Sequence, residues 1–124
     1  MRKQYHFWPS EQGLLAWDVD RLIRLASGLP RRAVLLSGIR EIDQVYWFDE
    51  YHQPTCRGVL EHMRLIDEVD LSFPIILGAD GRVMDGMHRV AKAILQGASE
   101  IQAVRFTVDP DPDYIGRGPA ELPY

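Results

Sequence analysis

The strongest constraint on how this chain folds is a change of hydrophobic period at Gly86. Upstream, two short apolar stretches, residues 73–77 and 82–84, flank Gly78-Ala79-Asp80-Gly81. Asp-Gly between such runs marks a tight hairpin, because the turn needs backbone angles that these two residues tolerate. Downstream from Met87 the apolar residues recur every three or four positions, at Val90, Ala91, Ile94 and Leu95, until Gly97. That is a helix with a left-handed glycine stop. A hairpin feeding directly into an amphipathic helix requires a sheet with a helix on its face, so the fold class expected is α+β, a small mixed β-sheet with packed helices.

The flanking segments extend this pattern. Asp18 is a helix cap, with Val19, Leu22, Ile23 and Ala26 on one face and Arg21 and Arg24 turned away, and Gly28 and Pro30 end the helix. Residues 33–36 form a bounded apolar run that suits a buried strand. Thr55, preceded by Pro54, caps a second helix whose apolar positions are Val59, Leu60, Met63 and Ile66. Residues 101–108 alternate and read as the last strand. Residues 42–51 have no clear period. One domain is expected over residues 1–108, followed by an extended tail rich in Pro, Gly and acids over 109–124, where Tyr114, Ile115, Leu122 and Tyr124 are available to dock.

Composition narrows the function classes. The chain has 124 residues, is 46% hydrophobic and carries a net charge of −4. That length supports one core without staples, and the acidic balance argues against direct DNA binding, since phosphate-backbone binding needs a basic surface. Cys56 is the sole cysteine, which excludes an internal disulfide and fits a reducing, cytoplasmic setting. Residues 1–9 lack the apolar run of a signal peptide, and no stretch reaches the length of a membrane span.

The chemistry is expected where the hairpin meets the helix. The first turn of a helix presents unpaired N–H groups and the positive end of its dipole, and Gly86 lets an anion approach closely. His88, Arg89 and Lys92 add donors, and the planar fork of Arg suits phosphate best. Asp85 is a natural cap; beside a phosphate it would also hold a metal ion or accept a proton. Tyr46, Trp47, Phe48 and Tyr51 either pack in the core or offer a face to a base, Trp47 being the leading stacking residue. His52, Cys56 and His62 have metal-capable side chains, but their spacing matches no zinc pattern, so no metal site is assigned.

Residues 74–97, P-I-I-L-G-A-D-G-R-V-M-D-G-M-H-R-V-A-K-A-I-L-Q-G, followed by I-Q-A-V-R-F, resemble the core of the ParB/sulfiredoxin-like superfamily, with the likeness running over residues 34–108. The D-G-x-H-R pattern at a helix start is closest to the stand-alone ParB-like proteins. The resemblance implies that Gly86, Met87, His88 and Arg89, with Lys92 and Arg57 nearby, surround the phosphates of a nucleotide (ATP, ADP or CTP, with or without Mg²⁺). Sulfiredoxin activity is not expected, because Met87 stands where that branch has its cysteine and a thioether cannot attack. No helix-turn-helix domain follows residue 108, so the role implied is a nucleotide-binding regulator or adaptor. Two alternatives stand beside it. One is a kinase of a small hydroxyl compound like the free-serine kinases, with Asp85 beside the transferring phosphate and Glu41 or Asp43 accepting the proton. The other is an interaction module with a vestigial site, acting through a protein partner or a homodimer.

Overall fold

In the computed structural model, which describes residues 3–124, the centre of the molecule is a four-stranded mixed sheet of order β3-β6-β4-β5. Its strands are β3 (Arg32–Leu35), β4 (Ile75–Leu77), β5 (Val83–Asp85) and β6 (Glu100–Arg105). β4 and β6 run parallel; the other two pairs are antiparallel. β4 and β5 form the expected hairpin, with Gly81 at φ +88° in the turn and a register shift between Ile76 and Leu77. The architecture is α+β, as the period change at Gly86 requires.

Period-2 alternation sorts the sheet into two apolar faces. Ile75, Leu77, Val83, Ile101 and Ala103 point to one side, where α3 (Met87–Leu95) covers them with Met87, Val90 and Ala93. Ile76, Met84 and Val104 point to the other side, against Trp17, and Leu22 and Ala26 of α1 (Val19–Ala26). Each such side chain, fully buried, contributes about 1.5–3 kcal/mol. The Asp18 cap forms as expected, with the Asp20 N–H donating to its carboxylate at 2.9 Å. The Thr55 cap of α2 (Cys56–Glu68) forms likewise, with the Gly58 N–H donating at 3.0 Å.

A second sheet comes from segments without a strong local signal. β1 (Tyr5–Ser10) and β2 (Gly13–Asp18) form an antiparallel hairpin, and β7 (Tyr114–Ile115) adds to β2. The segment 109–124 is therefore part of the fold rather than a loose end. Trp17 Nε1 donates to Pro110 O at 2.8 Å, Arg21 donates to Asp111 O at 2.8 Å, and Leu122 is buried. The run of aromatics Tyr5–Trp8 and Gly13, which the structure places at φ +105° after the turn, are the sequence features this hairpin uses.

The structure corrects several helix and strand faces. Ile23 is exposed, because only Val19, Leu22 and Ala26 reach the sheet. β3 is an edge strand, so Ala33 and Leu35 face outward and only Leu36, already in the following 3₁₀ turn, is buried. On α3, Ile94 and Leu95 are exposed because the buried stripe is Met87, Val90, Ala93. α2 packs chiefly on α3 through half-buried His62, Leu65 and Ile66, which leaves Val59, Leu60 and Met63 in solvent. Among the described residues no helix is long and apolar enough to cross a membrane.

Candidate functional site

A cleft of about 1050 Å³ opens at the start of α3, walled by β1, by residues 41–49, by α2 and by the end of β5. Its volume is at the upper end of the range usual for small-molecule sites, about 300–1,000 Å³. Glu41, Trp47, Asp85, Gly86, Met87 and His88 all line it. Residues spread over 48 positions of sequence thus meet in one place.

Gly86 is the N-cap of α3 and sits at φ +111°, ψ 21°. A Cβ there would lie 2.7 Å from Ile75 Cγ2 and 2.9 Å from an Arg89 guanidinium nitrogen. Glycine is required both by the left-handed backbone and by the close packing of helix start on β4. Asp85 is consequently not the helix cap: it is the last residue of β5, paired with Ile76, and no side chain caps α3. Its carboxylate instead accepts from Arg89 at 2.9 Å, an i,i+4 pair that is mostly shielded from solvent.

Glu41 is buried, its side chain delivered inward by a 3₁₀ turn, Arg40–Asp43, that follows the buried Ile39. The Val83 N–H donates to its Oε2 at 2.9 Å, which satisfies an edge-strand donor of β5. Oε1 has no hydrogen-bond partner although it is buried, and the same holds for Trp47 Nε1. Burial, then Glu41, then Asp85, push the Tyr46 phenol up to about 12, so it stays protonated beside these acids.

His88, on the first turn of α3, meets His62 of α2 with Nε2 2.8 Å from His62 Nδ1. Both imidazoles lie nearly parallel to the Trp47 indole, at centroid distances of 4.7 and 4.8 Å. Since the two imidazole centroids are only 5.1 Å apart, both must lie on the same side of the indole. One face of Trp47 is therefore already covered.

Several other sequence-selected residues stand outside the cleft. Arg89 does not line it and donates to Asp85 and to Pro74 O. Lys92 donates to Asp67 O and Val69 O at 2.8 and 2.9 Å, where it satisfies carbonyls at the C-terminal end of α2. Asp43 and Arg57 are exposed and line no part of it. His52 does line the cleft, bonded to Asp49, and Cys56 is exposed, both apart from the His62–His88 pair. No group of three or more potential metal ligands is gathered among the described residues.

The cleft also contains Arg64 and, from β1, Tyr5, Phe7 and Trp8, which sequence reasoning passed over, and His62, which it weighed only as a metal ligand. Reading residues 5–10 as an aromatic strand would have found Tyr5, Phe7 and Trp8; nothing local pointed to the meeting of His62 with His88, 26 positions on. Carboxylates and imidazoles outnumber the cations Lys3 and Arg64 on its walls, and Lys3 is bound to Asp18 at 2.6 Å and to Asp20 at 3.2 Å. The donors that an anion would meet there are backbone N–H groups, imidazoles and Arg64 rather than a basic field.

The chain matches no family model, and neither a curated protein nor a solved structure matches it.

Proposed function

We propose that the chain is a ParB-like nucleotide-binding module, a regulator or adaptor, whose cleft at the start of α3 takes the phosphates of ATP, ADP or CTP. The observation that carries this reading is Gly86: a left-handed, side-chain-free residue opening a nine-residue helix onto a cleft large enough for a nucleotide. The first N–H groups of α3 point along the helix axis and are the donors for phosphate. His88 and, across the cleft, Arg64 supply side-chain donors. Mg²⁺ would arrive with the phosphates and keep most of its water, needing one or two carboxylates from the protein at most.

A second reading, phosphoryl transfer to a small hydroxyl compound, is favoured by one observation, the buried and unpartnered Oε1 of Glu41 in the same cleft as Asp85. An acceptor hydroxyl donating to that oxygen would give up its proton there as the phosphate transfers.

Calorimetric titration with ATP, ADP, CTP and GTP, with and without Mg²⁺, on the native chain and on Arg64→Ala and His88→Ala, tests the binding reading. Binding of a nucleotide that weakens at least tenfold in either variant supports it; no heat with any nucleotide overturns it. Turnover over a panel of small alcohols and hydroxy amino acids, abolished by Glu41→Gln with nucleotide binding retained, would establish the kinase.

A further inference from the structure

We infer that Trp8 of β1 is the platform on which the base of the bound nucleotide stacks, an assignment that rests on the phosphate reading of the α3 start. Trp47 would be the natural choice from sequence, but one of its faces already carries the His62 and His88 rings. Tyr46 is held at the acidic end of the cleft, near Glu41 and Asp85. Tyr124 rests edge-on against Tyr5.

Trp8 lines the same cleft and is 41% exposed, and it differs from these in what lies against its ring. The Arg82 guanidinium lies over its ring, 4.7 Å from the centroid, and the His6 ring lies beside it at 6.4 Å and nearly parallel, yet two fifths of the residue stays exposed. That guanidinium is itself fixed, buried between Trp8 and Trp17 and paired with Asp80 and Asp109 at 3.3 Å each. A large aromatic ring held against a buried cation, and still 41% exposed, is a rigid stacking surface that loses little side-chain entropy when a planar ligand arrives.

The span of β5 suits an extended ligand. Arg82 immediately precedes β5, and β5 runs towards Gly86, four residues on. At about 3.3 Å per residue that is roughly 13 Å of strand. A nucleoside triphosphate spans such a distance from base to terminal phosphate; an inorganic phosphate does not. The base lies on Trp8 and the phosphates at Gly86, with β5 as the floor between them.

The test is calorimetry of ATP and of inorganic tripolyphosphate on the native chain, Trp8→Leu and Trp8→Phe, together with tryptophan emission during each titration. Expected is at least a tenfold loss of ATP affinity in Trp8→Leu with tripolyphosphate affinity unchanged, and near-native ATP affinity in Trp8→Phe. ATP, but not tripolyphosphate, should quench native emission, and Trp8→Phe should lose that quenching. The emission result decides the matter even if Trp8→Leu does not fold. Equal weakening of both ligands, no change in ATP affinity, or ATP quenching that survives in Trp8→Phe would overturn the assignment and leave phosphate binding intact. Binding of tripolyphosphate without any preference for ATP would do the same. Failure of every ligand to bind the native chain would remove the phosphate reading and this one with it.

Discussion

His62 and His88 face each other Nδ1 to Nε2 at 2.8 Å on one side of Trp47, and their centroid separation of 5.1 Å exceeds that distance by no more than the two ring radii. The N···N line therefore runs through both rings. This is the geometry of a hydrogen bond, not of two lone pairs converging on a metal ion. One nitrogen donates and the other accepts, so one proton lies between them.

Removing either imidazole uncovers part of the indole and orphans the other ring's nitrogen. His62→Ala and His88→Ala are each expected to cost about 1–3 kcal/mol, a hydrogen bond plus a ring stack. In urea unfolding the double variant should cost less than the sum, with a coupling of at least about 0.5 kcal/mol. Strict additivity would mean that the pair is not formed in solution.

Gly86 and Gly81 separate two reasons for glycine. Both have positive φ, but a Cβ at Gly81 meets nothing within 4 Å whereas one at Gly86 collides with Ile75. Gly81→Ala should cost about 1–2 kcal/mol from backbone strain alone. Gly86→Ala adds overpacking and should cost about 2–5 kcal/mol. Thermal melts that rank the two equally would place the helix start away from β4.

Glu41 acts on β5 through one oxygen. Glu41→Ala leaves the buried Val83 N–H unsatisfied and should cost about 1–3 kcal/mol. Glu41→Gln keeps a carbonyl acceptor at that N–H and should cost less than half as much, so its effect on turnover can be read separately from stability. Denaturant midpoints of the two variants check this; equal losses would contradict the contact.

His6 makes stability depend on pH. Desolvation, and then the Arg82 charge, lower its pKa from 6.5 to about 4. Between those values the unfolded chain holds a proton that the folded chain refuses, so stability is full above pH 6.5 and falls as pH drops towards 4. The loss expected from this group is on the order of 3 kcal/mol. Urea midpoints from pH 7 to 4 should fall steeply for the native chain and less steeply for His6→Gln; identical slopes would rule out His6 as the cause.

What the sequence determined by itself is what neighbours along the chain decide. The caps at Asp18 and Thr55, the turn at Asp80-Gly81 and the glycines at 86 and 97 all act within a few residues, and each is realised in the structure. The α+β class follows from them; the expectation that an acid after β3 joins Asp85, Gly86 and His88 came instead from the family resemblance. Tertiary structure alone decided which face of each helix is buried, because period shows that a stripe exists but not where the sheet lies; hence exposed Val59, Leu60 and Met63 on α2 and Leu95 on α3. It also decided which charges are spent: Arg89 on Asp85, and Lys92 on the end of α2. The β1–β2 hairpin, its union with β7, and the meeting of His62, His88 and Trp47 depend on residues tens of positions apart. Their contact energies arise only once the sheet has brought them within a few ångströms, and no local pattern records them.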